Sequence, residues 1–418
     1  MPTLYSRFIS KANYVLFIVM VCMLPFPTKV SLYAWMLWLV SWLLEGRIFR
    51  SEHIRWHKGL VPILALVGLL LFELVSYTWA IDTTSAANML VRHLSYIAIV
   101  PIAIWGVNQH YDWVKIARWF IISCVASIFI YGFYIYIFEY RDYLLTHHQY
   151  PEQSWLLFGE RVNYLKHHLY YGNLLNLALV ALLQIRVPLL AASRHKRWTT
   201  ALFFLTLLIL VIGVIWSGSR ANMLTLLVVS AVAVIQPLRG YTRPLVASMV
   251  CIFSVVMGAL LFTLHPRFDQ LSLEHVTERN TFPTHQIEPR INIWYSALQQ
   301  PHDYLWHGVG VGCDAEYLTP VYAAHQWHGF FQRQFNAHNQ YLATLINLGI
   351  VAALFFLLIW LLYPLWYTAR VRQLATLVAL TIGLNMLTEN MLDRIDGVIV
   401  ACASMLVIAL LSRGQLEK

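Results

Sequence analysis

The sequence predicts an all-α, polytopic membrane protein, and three observations lead to this fold class. Of its 418 residues, 59% are hydrophobic and only 12% are charged, which is half the charged fraction of roughly 25% found in soluble domains. Long apolar segments without charge recur along the chain, for example at 201–216 and 351–363. Lys and Arg concentrate in alternate short connections between such segments. Together these features exclude a secreted or cytosolic globular protein.

We expect about twelve transmembrane helices, because twelve apolar runs approach the roughly 20 residues that cross a bilayer. Helices one to nine fall within 1–264, with a polar loop at 139–169. A large loop over 265–339 follows, and helices ten to twelve fall within 340–418. The runs cover residues 13–27, 30–44, 60–79, 86–107, 114–138, 170–185, 198–216, 220–236, 244–264, 340–362, 373–388 and 397–411.

The distribution of basic residues predicts that both termini are cytoplasmic. Arg47, Arg50 and a cluster at 194–197 lie in connections on one side, whereas 80–85 and 217–219 on the other side carry no Lys or Arg. Basic residues mark the cytoplasmic side of a membrane protein. The formal net charge of +9 therefore does not indicate a nucleic-acid partner. The five cysteines show no spacing typical of disulfides or of a thiolate metal site.

The large loop on the predicted outer side contains a candidate helix. Loops of this length are usually functional or disordered, and the Trp, Tyr and Phe content of 265–337 favours an ordered one. Glu288-Pro289-Arg290 is typical of a helix start, because proline is favoured in the first turn. We expect this helix to continue to Gln300 and to end before Pro301.

Several helices that start on the outer side carry basic residues at their first turns. Arg220 follows Ser217-Gly218-Ser219, with Ser219 as the expected N-cap, and Arg290 lies in the first turn of the loop helix. A helix N-terminus is positive, so a cation there is locally unfavourable. A bound anion that bridges the arginine and the N–H groups removes this conflict. The alternative is that each arginine reaches lipid phosphates at the interface.

His338 lies where the large loop meets a helix of membrane length. A positive helix end disfavours the imidazolium, so we expect a neutral His338 that accepts a proton as a general base. Gly349 lies eleven residues further on, nearly above the same helix face. A glycine there permits close approach of a neighbouring helix or a lipid chain, which fits a groove that reaches into the bilayer.

These residues resemble the signature of the O-antigen ligase family of the bacterial inner membrane. The signature is His, then Asn, Ser or Gln, nine positions, Gly, two positions, and then Gly, Thr or Tyr. His338, Asn339 and Gly349 fit it, whereas Ala352 departs from it at the last position. The resemblance is reinforced by three further motifs: Ser217-Gly218-Ser219-Arg220, Pro289-Arg290 with Trp294, and Gly308-Val309-Gly310.

The resemblance implies a metal-independent glycosyltransferase with a GT-C-like membrane fold and without a cofactor. Such ligases transfer a polysaccharide from undecaprenyl pyrophosphate to a sugar hydroxyl of lipid A–core. On this resemblance, Arg220 and Arg290 hold the pyrophosphate, and His338 activates the acceptor hydroxyl. Because arginines can neutralise the charge of the leaving group, no metal is expected. A single displacement inverts the anomeric centre.

Other polar residues are secondary candidates. Arg161 and His168 could contact phosphate or the acceptor, or could belong to a structural loop. Asn339 is the second residue of the signature. Arg92, inside the fourth span near its outer end, could line the cavity, with Glu73 as a possible partner. Three acidic residues between the last two spans could steady an arginine or the acceptor: Glu389, Asp393 and Asp396.

Two alternatives to a ligase stay open at this point. An O-antigen polymerase or an O-linked protein oligosaccharyltransferase would differ in its acceptor but not in its pyrophosphate site. A transporter of an anionic lipid-linked substrate belongs to another class. Transporters commonly contain internal repeats and broken helices near the midplane, and the sequence shows no repeat.

Overall fold

The computed structural model describes residues 4–50, 53–107, 111–141, 161–236, 242–264, 289–325 and 332–414, and the regular secondary structure of these residues is helical. Helices α1–α10 precede the large loop, α11 and α12 belong to it, and α13–α15 follow it. Their bounds are Leu4–Met23, Thr28–Leu44, Val61–Ser76, Thr83–His93, Ser95–Trp105, Trp113–Tyr134, His168–Ala191, Lys196–Trp216, Arg220–Ile235, Thr242–Leu264, Pro289–Gln299, Asp314–Ala324, Gln340–Leu362, Ala369–Met386 and Ile395–Arg413.

Eight helical segments in the described part of the chain are long and apolar enough to cross a membrane. Each of the twelve predicted apolar runs coincides with helix, so the polytopic all-α prediction is confirmed, while twelve spans and their orientation stay predictions. Three shorter apolar helices cover Phe8–Met23, Arg220–Ile235 and Val371–Met386. The eight long segments are Lys58–Trp79, Thr83–Trp105, Trp113–Ile137, His168–Ala191, Lys196–Trp216, Pro244–Leu261, Gln340–Trp366 and Ile395–Arg413.

The first of two compact units comprises Met1–Arg55, Ile104–Gly258 and Gly414–Lys418. Within it α1 packs against α2 and α6, and α7 packs against α6, α8 and α9. The buried indole N–H of Trp42 donates to the carbonyl of Gly106 (3.0 Å), which satisfies a polar group that would be costly to bury alone.

The second unit comprises Trp56–Ala103 and Ala259–Arg413. Within it α3 packs against α13, and α15 packs against α14 and against a short 3₁₀ turn, Met391–Asp393. The predicted division at 264 and 339 separates successive stretches of the sequence, whereas each compact unit combines stretches that are distant in sequence. The predicted division stays a prediction.

Two predicted helix starts are confirmed. The Ser219 hydroxyl accepts a hydrogen bond from the Asn222 backbone N–H (3.4 Å) at the start of α9, which is the usual N-cap interaction. The loop helix α11 begins at Pro289 and ends at Gln299. A 3₁₀ turn then begins at Pro301, as expected for a residue that cannot continue a helix.

Gly349 interrupts α13, and the segment 305–310 fills the interruption. The backbone of Gly349 has φ 81° and ψ −180°, a region that is essentially restricted to glycine. The Ile350 N–H donates to the carbonyl of Leu305 (2.7 Å), and the Val309 N–H donates to the carbonyl of Ile346 (2.9 Å). The expectation that a helix or lipid chain approaches Gly349 was therefore wrong, because the close neighbour is loop backbone.

The two glycines at this crossing leave no room for a side chain. A Cβ on Gly349 would lie 2.4 Å from the carbonyl oxygen of Trp306, and a Cβ on Gly308 would lie 2.2 Å from that of Asn347. Both obstacles are backbone atoms, which cannot rotate away as a flexible side chain can. The glycine of the signature thus joins the large loop to the helix that follows His338.

Replacement of Gly349 by Ala should destabilise the protein by at least about 2 kcal/mol, from backbone strain and overlap together. We expect a lower melting temperature in detergent solution. Gly132→Ala is the matched control, because nothing lies within 4 Å of a Cβ there and alanine is favoured within a helix. Equal melting temperatures for the two variants would contradict the crossing described above.

Candidate active site

Three polar segments of the second unit meet around one carboxylate. Arg290 is the second residue of α11, His338 lies just before α13, and Glu389 lies in the connection between α14 and α15. Glu389 Oε2 is 3.2 Å from His338 Nδ1 and 3.7 Å from Arg290 Nη2. The carboxylate is buried, with 7% of its side chain exposed, whereas the histidine and arginine side chains are 21% and 24% exposed. Glu389 is therefore less exposed than the imidazole and the guanidinium that it contacts, and these two groups remain accessible to a substrate.

The guanidinium of Arg290 is held from a second direction. Its Nε donates to the backbone carbonyl of Thr388 (2.7 Å), the residue before Glu389. A planar guanidinium with one edge fixed presents its remaining N–H groups in a defined direction. This geometry suits recognition of a phosphate.

The position of the imidazole depends on an unusual backbone conformation. His338 has φ 44°, a left-handed value that costs a non-glycine residue free energy. The conformation is held on both sides, because the His338 N–H donates to Asn336 Oδ1 (3.3 Å) and the Asn339 N–H donates to Asn390 Oδ1 (2.8 Å). Strain that the surroundings maintain in this way is typical of functional sites.

Asn339 has a structural role that its place in the signature did not reveal. Its side-chain oxygen accepts hydrogen bonds from the backbone N–H groups of Tyr341 (3.0 Å) and Leu342 (3.1 Å). Asn339 is therefore the N-cap of α13. It fixes the helix start directly after His338.

A buried network of amides and carboxylates joins the segment before α13 to the connection before α15. Asp314 Oδ2 accepts from the Ala337 N–H (2.9 Å) and from Asn390 Nδ2 (2.9 Å). Asp393 Oδ2 accepts from the same Asn390 nitrogen (2.7 Å) and from Asn336 Nδ2 (3.3 Å). Because these bonds cross between the segments that carry His338 and Glu389, they fix the two residues relative to each other.

Burial raises the pKa of Asp393 to about 7, and the nearby charge of Asp314 adds to this effect. Two carboxylates that share a dry site resist simultaneous ionisation. Among the described residues, the Asp393 side chain contacts Asn336 and Asn390 and no arginine side chain. The acidic residue that contacts an arginine is Glu389, which lies 3.7 Å from Arg290.

The Arg92 side chain contacts the backbone of this region. Its Nη1 donates to the carbonyl of Asp393 (2.6 Å), and it lies in the last turn of α4, in the middle of the span Thr83–Trp105 rather than near an end. The suggested pairing of Arg92 with Glu73 was wrong, because Glu73 Oε2 instead lies 2.8 Å from Nδ1 of His93.

Arg220 is the first residue of α9 and belongs to the first unit. Polar side chains fix this helix start, since Asn222 Nδ2 donates to the carbonyl of Leu169 (2.8 Å) and Asn176 Nδ2 donates to the carbonyl of Asn222 (3.1 Å). Arg290 and His338 belong to the second unit, and the convergence of Arg220 with them stays a prediction.

The other two candidates also lie in the first unit. His168 is the first residue of α7, and both its backbone N–H and its Nδ1 lie 2.7 Å from Oδ1 of Asn163. Arg161 begins a 3₁₀ turn that ends at Tyr164. Contacts of either residue with a substrate stay predictions, and 142–160 of the preceding loop lie outside the described residues.

Little in the sequence indicates which residues contact the imidazole. Glu389 was expected to steady an arginine or the acceptor but not to contact the imidazole, and Asp314 and Asn390 were missed. One available signal was the polar run Thr388-Glu389-Asn390 between two apolar helices. Its register against His338, 50 residues away, depends on how α13 and α14 pack.

The second unit thus contains the polar centre of a polytopic membrane protein, with a histidine, a buried carboxylate and an arginine in contact. Residues 205–357 match a family model described as O-antigen ligase. The matched stretch contains Arg220, Arg290, His338 and Gly349, whereas Glu389 lies beyond it.

Residues 205–357 are therefore similar to the O-antigen ligase domain, and the resemblance inferred from the signature is confirmed over this part of the chain. This domain occurs in ligases and polymerases that act on lipid-linked glycans. A comparison with curated proteins gave no match.

Asp393→Asn should increase stability relative to the wild type as pH rises from 5 to 8. A carboxyl whose pKa is raised to about 7 in the folded protein contributes stability below its unfolded pKa near 4, and this contribution is lost as pH rises through 7. Asparagine cannot ionise, and its oxygen still accepts from both amides. The measurement is the difference in melting temperature between variant and wild type at each pH.

Asp82→Asn is the control for this prediction. Hydrogen bonds from Ser85 and Thr84 lower the pKa of Asp82 below its ordinary value of 3.8. Its contribution is present above that value and is lost only in more acidic solution. The melting-temperature difference should therefore stay constant for Asp82→Asn over the same range. A constant difference for Asp393→Asn as well would refute the assignment.

Proposed function

We propose that the protein is an O-antigen ligase of the bacterial inner membrane, with both termini in the cytoplasm and its active site facing the periplasm. It transfers a polysaccharide from undecaprenyl pyrophosphate to a sugar hydroxyl of lipid A–core. The observation that carries this proposal is the contact of His338 and Arg290 with one buried carboxylate, Glu389. The family match over 205–357 supports a lipid-linked glycan as the substrate.

His338 acts as the general base. With Nδ1 hydrogen-bonded to the carboxylate of Glu389, the proton of the neutral ring resides on Nδ1 and Nε2 carries the lone pair. Nε2 takes the proton of the acceptor hydroxyl as that oxygen attacks the anomeric carbon. Glu389 then stabilises the imidazolium that forms, as the aspartate does in a hydrolase triad.

The arginines act on the leaving group. Arg290 and Arg220 bind the two phosphates and neutralise the charge that develops when the anomeric carbon–oxygen bond breaks. Undecaprenyl pyrophosphate leaves, the new glycosidic bond forms from the opposite face, and the anomeric configuration inverts. No metal or cofactor takes part in this scheme, because the guanidinium groups supply the positive charge.

A polymerase and an O-linked protein oligosaccharyltransferase would use the same chemistry with another acceptor, and the family match fits a polymerase equally well. We favour the ligase because the signature around His338 resembles that family. A transporter of a lipid-linked anion needs no proton acceptor, so it leaves the contact of His338 with Glu389 without a role.

His338→Ala should reduce glycan transfer by about 10³-fold, within the range expected for loss of a general base. Glu389→Gln should lose less, because its amide still contacts the ring but cannot stabilise the imidazolium. The assay combines purified protein, undecaprenyl-pyrophosphate-linked glycan and lipid A–core, with the product separated by gel electrophoresis.

His302→Ala is the matched control, since this histidine is 79% exposed and has no part in the scheme. Full transfer by His338→Ala would disprove the base assignment. Product found on the carrier lipid as longer chains would favour the polymerase, and product on a periplasmic protein would favour the oligosaccharyltransferase. Movement of substrate across vesicles without a covalent product would favour the transporter.

Arg290→Lys and Arg220→Lys should each raise the KM for the lipid-linked donor by about tenfold. Lysine keeps the positive charge but loses the planar pair of donors that matches a phosphate. The measurement is the initial transfer rate as a function of donor concentration at saturating acceptor. Arg186→Lys, on the predicted cytoplasmic side, should leave this KM unchanged, and an unchanged KM in the other two variants would count against a pyrophosphate site.

A further inference from the structure

A second histidine–glutamate pair lies buried inside the second unit and has no part in the chemistry above. His93 on α4 and Glu73 on α3 have side chains that are only 5% and 4% exposed, and both lie within spans long and apolar enough to cross a membrane. Ionisable side chains in such segments are costly and usually have a function.

The hydrogen bonds of His93 determine how many protons the pair carries. Nε2 lies 3.0 Å from the backbone carbonyl oxygen of Leu392, and since a carbonyl only accepts, Nε2 must carry a proton. Nδ1 lies 2.8 Å from Glu73 Oε2, so one further proton lies between these two atoms. Whether it resides on nitrogen or on oxygen, the pair as a whole is neutral. A neutral pair avoids the penalty of an isolated buried charge.

The neighbouring residue binds the same turn. Arg92 donates from Nη1 to the carbonyl of Asp393, so consecutive side chains of α4 hold consecutive carbonyls of the turn Met391–Asp393. The turn is held from a third side as well, because the Leu392 N–H donates to Gln340 Oε1 (2.7 Å). These hydrogen bonds hold the backbone of the turn, which lies in the connection between α14 and α15.

This turn is directly continuous with the residue that contacts the imidazole. The Met391 N–H donates to the carbonyl of Glu389 (2.9 Å), and Asn390 between them bonds to the backbone of Asn339. A displacement of the turn would therefore move the Glu389 carboxylate away from His338 and Arg290. Misplacement of a catalytic group by about 1 Å can reduce a rate by 10²-fold.

We propose that Glu73, His93 and Arg92 form a clamp that positions Glu389 against His338 and Arg290. The three are positioning residues, and this inference rests on the proposed function of His338 as the base. The clamp acts by hydrogen bonds to backbone carbonyls, so its effect depends on donors at His93 Nε2 and Arg92 Nη1 and not on net charge.

The test compares variants that remove the clamp with one that preserves it. The double variant Glu73→Met/His93→Leu removes both partners, so no unpaired charge is left buried, and Leu392 loses its donor. Arg92→Met removes the other donor independently. Glu73→Gln should preserve the clamp, because its amide can donate to Nδ1 of a neutral ring that keeps its proton on Nε2.

The first measurement does not require activity. Hydrogen–deuterium exchange with mass spectrometry should show faster exchange of backbone amides within 388–394 in the double variant and in Arg92→Met, and wild-type exchange in Glu73→Gln. The matched control is Ser85→Ala/Glu316→Met, which removes another polar contact between α4 and a neighbouring helix (2.5 Å) but does not touch the turn. Unchanged exchange in both disruptive variants would overturn the clamp.

The second measurement is transfer activity in a double-mutant cycle with Glu389→Gln. Each disruptive variant should lose tenfold or more of kcat/KM in the wild-type background, and at most about twofold when Glu389 is already replaced. Equal losses in both backgrounds would overturn the positioning role and indicate a general structural effect. A severe loss in Glu73→Gln would also overturn it, since that variant keeps the donors.

The two measurements separate failure of this inference from failure of the proposed function. A wild-type protein without glycan transfer would overturn the proposed function and the link to catalysis. The exchange pattern would in that case still decide whether the three residues hold the turn.

Discussion

The candidate site depends on one interaction, the contact of the buried carboxylate of Glu389 with an imidazole and a guanidinium. A carboxylate removed from water needs compensation, and here His338 and Arg290 supply it while their own side chains stay 21% and 24% exposed. The same contact selects the ring tautomer and directs the arginine. In the proposed reaction, the base and the phosphate-binding group are therefore both oriented by Glu389. This accounts for the many hydrogen bonds that hold the turn that follows Glu389.

Much of that surrounding structure consists of asparagine. Asn336 and Asn390 donate to Asp314 and Asp393, and Asn339 caps α13. Amides satisfy buried carboxylates and backbone groups without adding charge, so the network keeps its geometry with fewer electrostatic penalties than a chain of ion pairs would carry. The site is thus built from neutral donors around a small number of ionisable groups.

The fold class, two helix starts and the family signature were predictable because their signals are local. Hydropathy located the helices, and cap chemistry located Ser219 and Pro289. The histidine–glycine spacing pointed to His338. The partners were not predictable in the same way: His93 meets Leu392 across 299 positions of sequence, and Glu73 pairs with His93 rather than with the adjacent Arg92 because of the rotation of α3 and α4. Gly349 was recognised as a place of close approach, but only the path of 305–310 reveals what approaches it.

The left-handed backbone of His338 places stability and activity in opposition. At φ 44° a glycine would be accommodated more easily than a residue that carries a side chain. The residue that the proposed reaction needs is therefore one that the local chain geometry disfavours, and neighbouring bonds offset its cost. A substitution that relieves the backbone strain at this position would therefore give a more stable protein that lacks the proposed base.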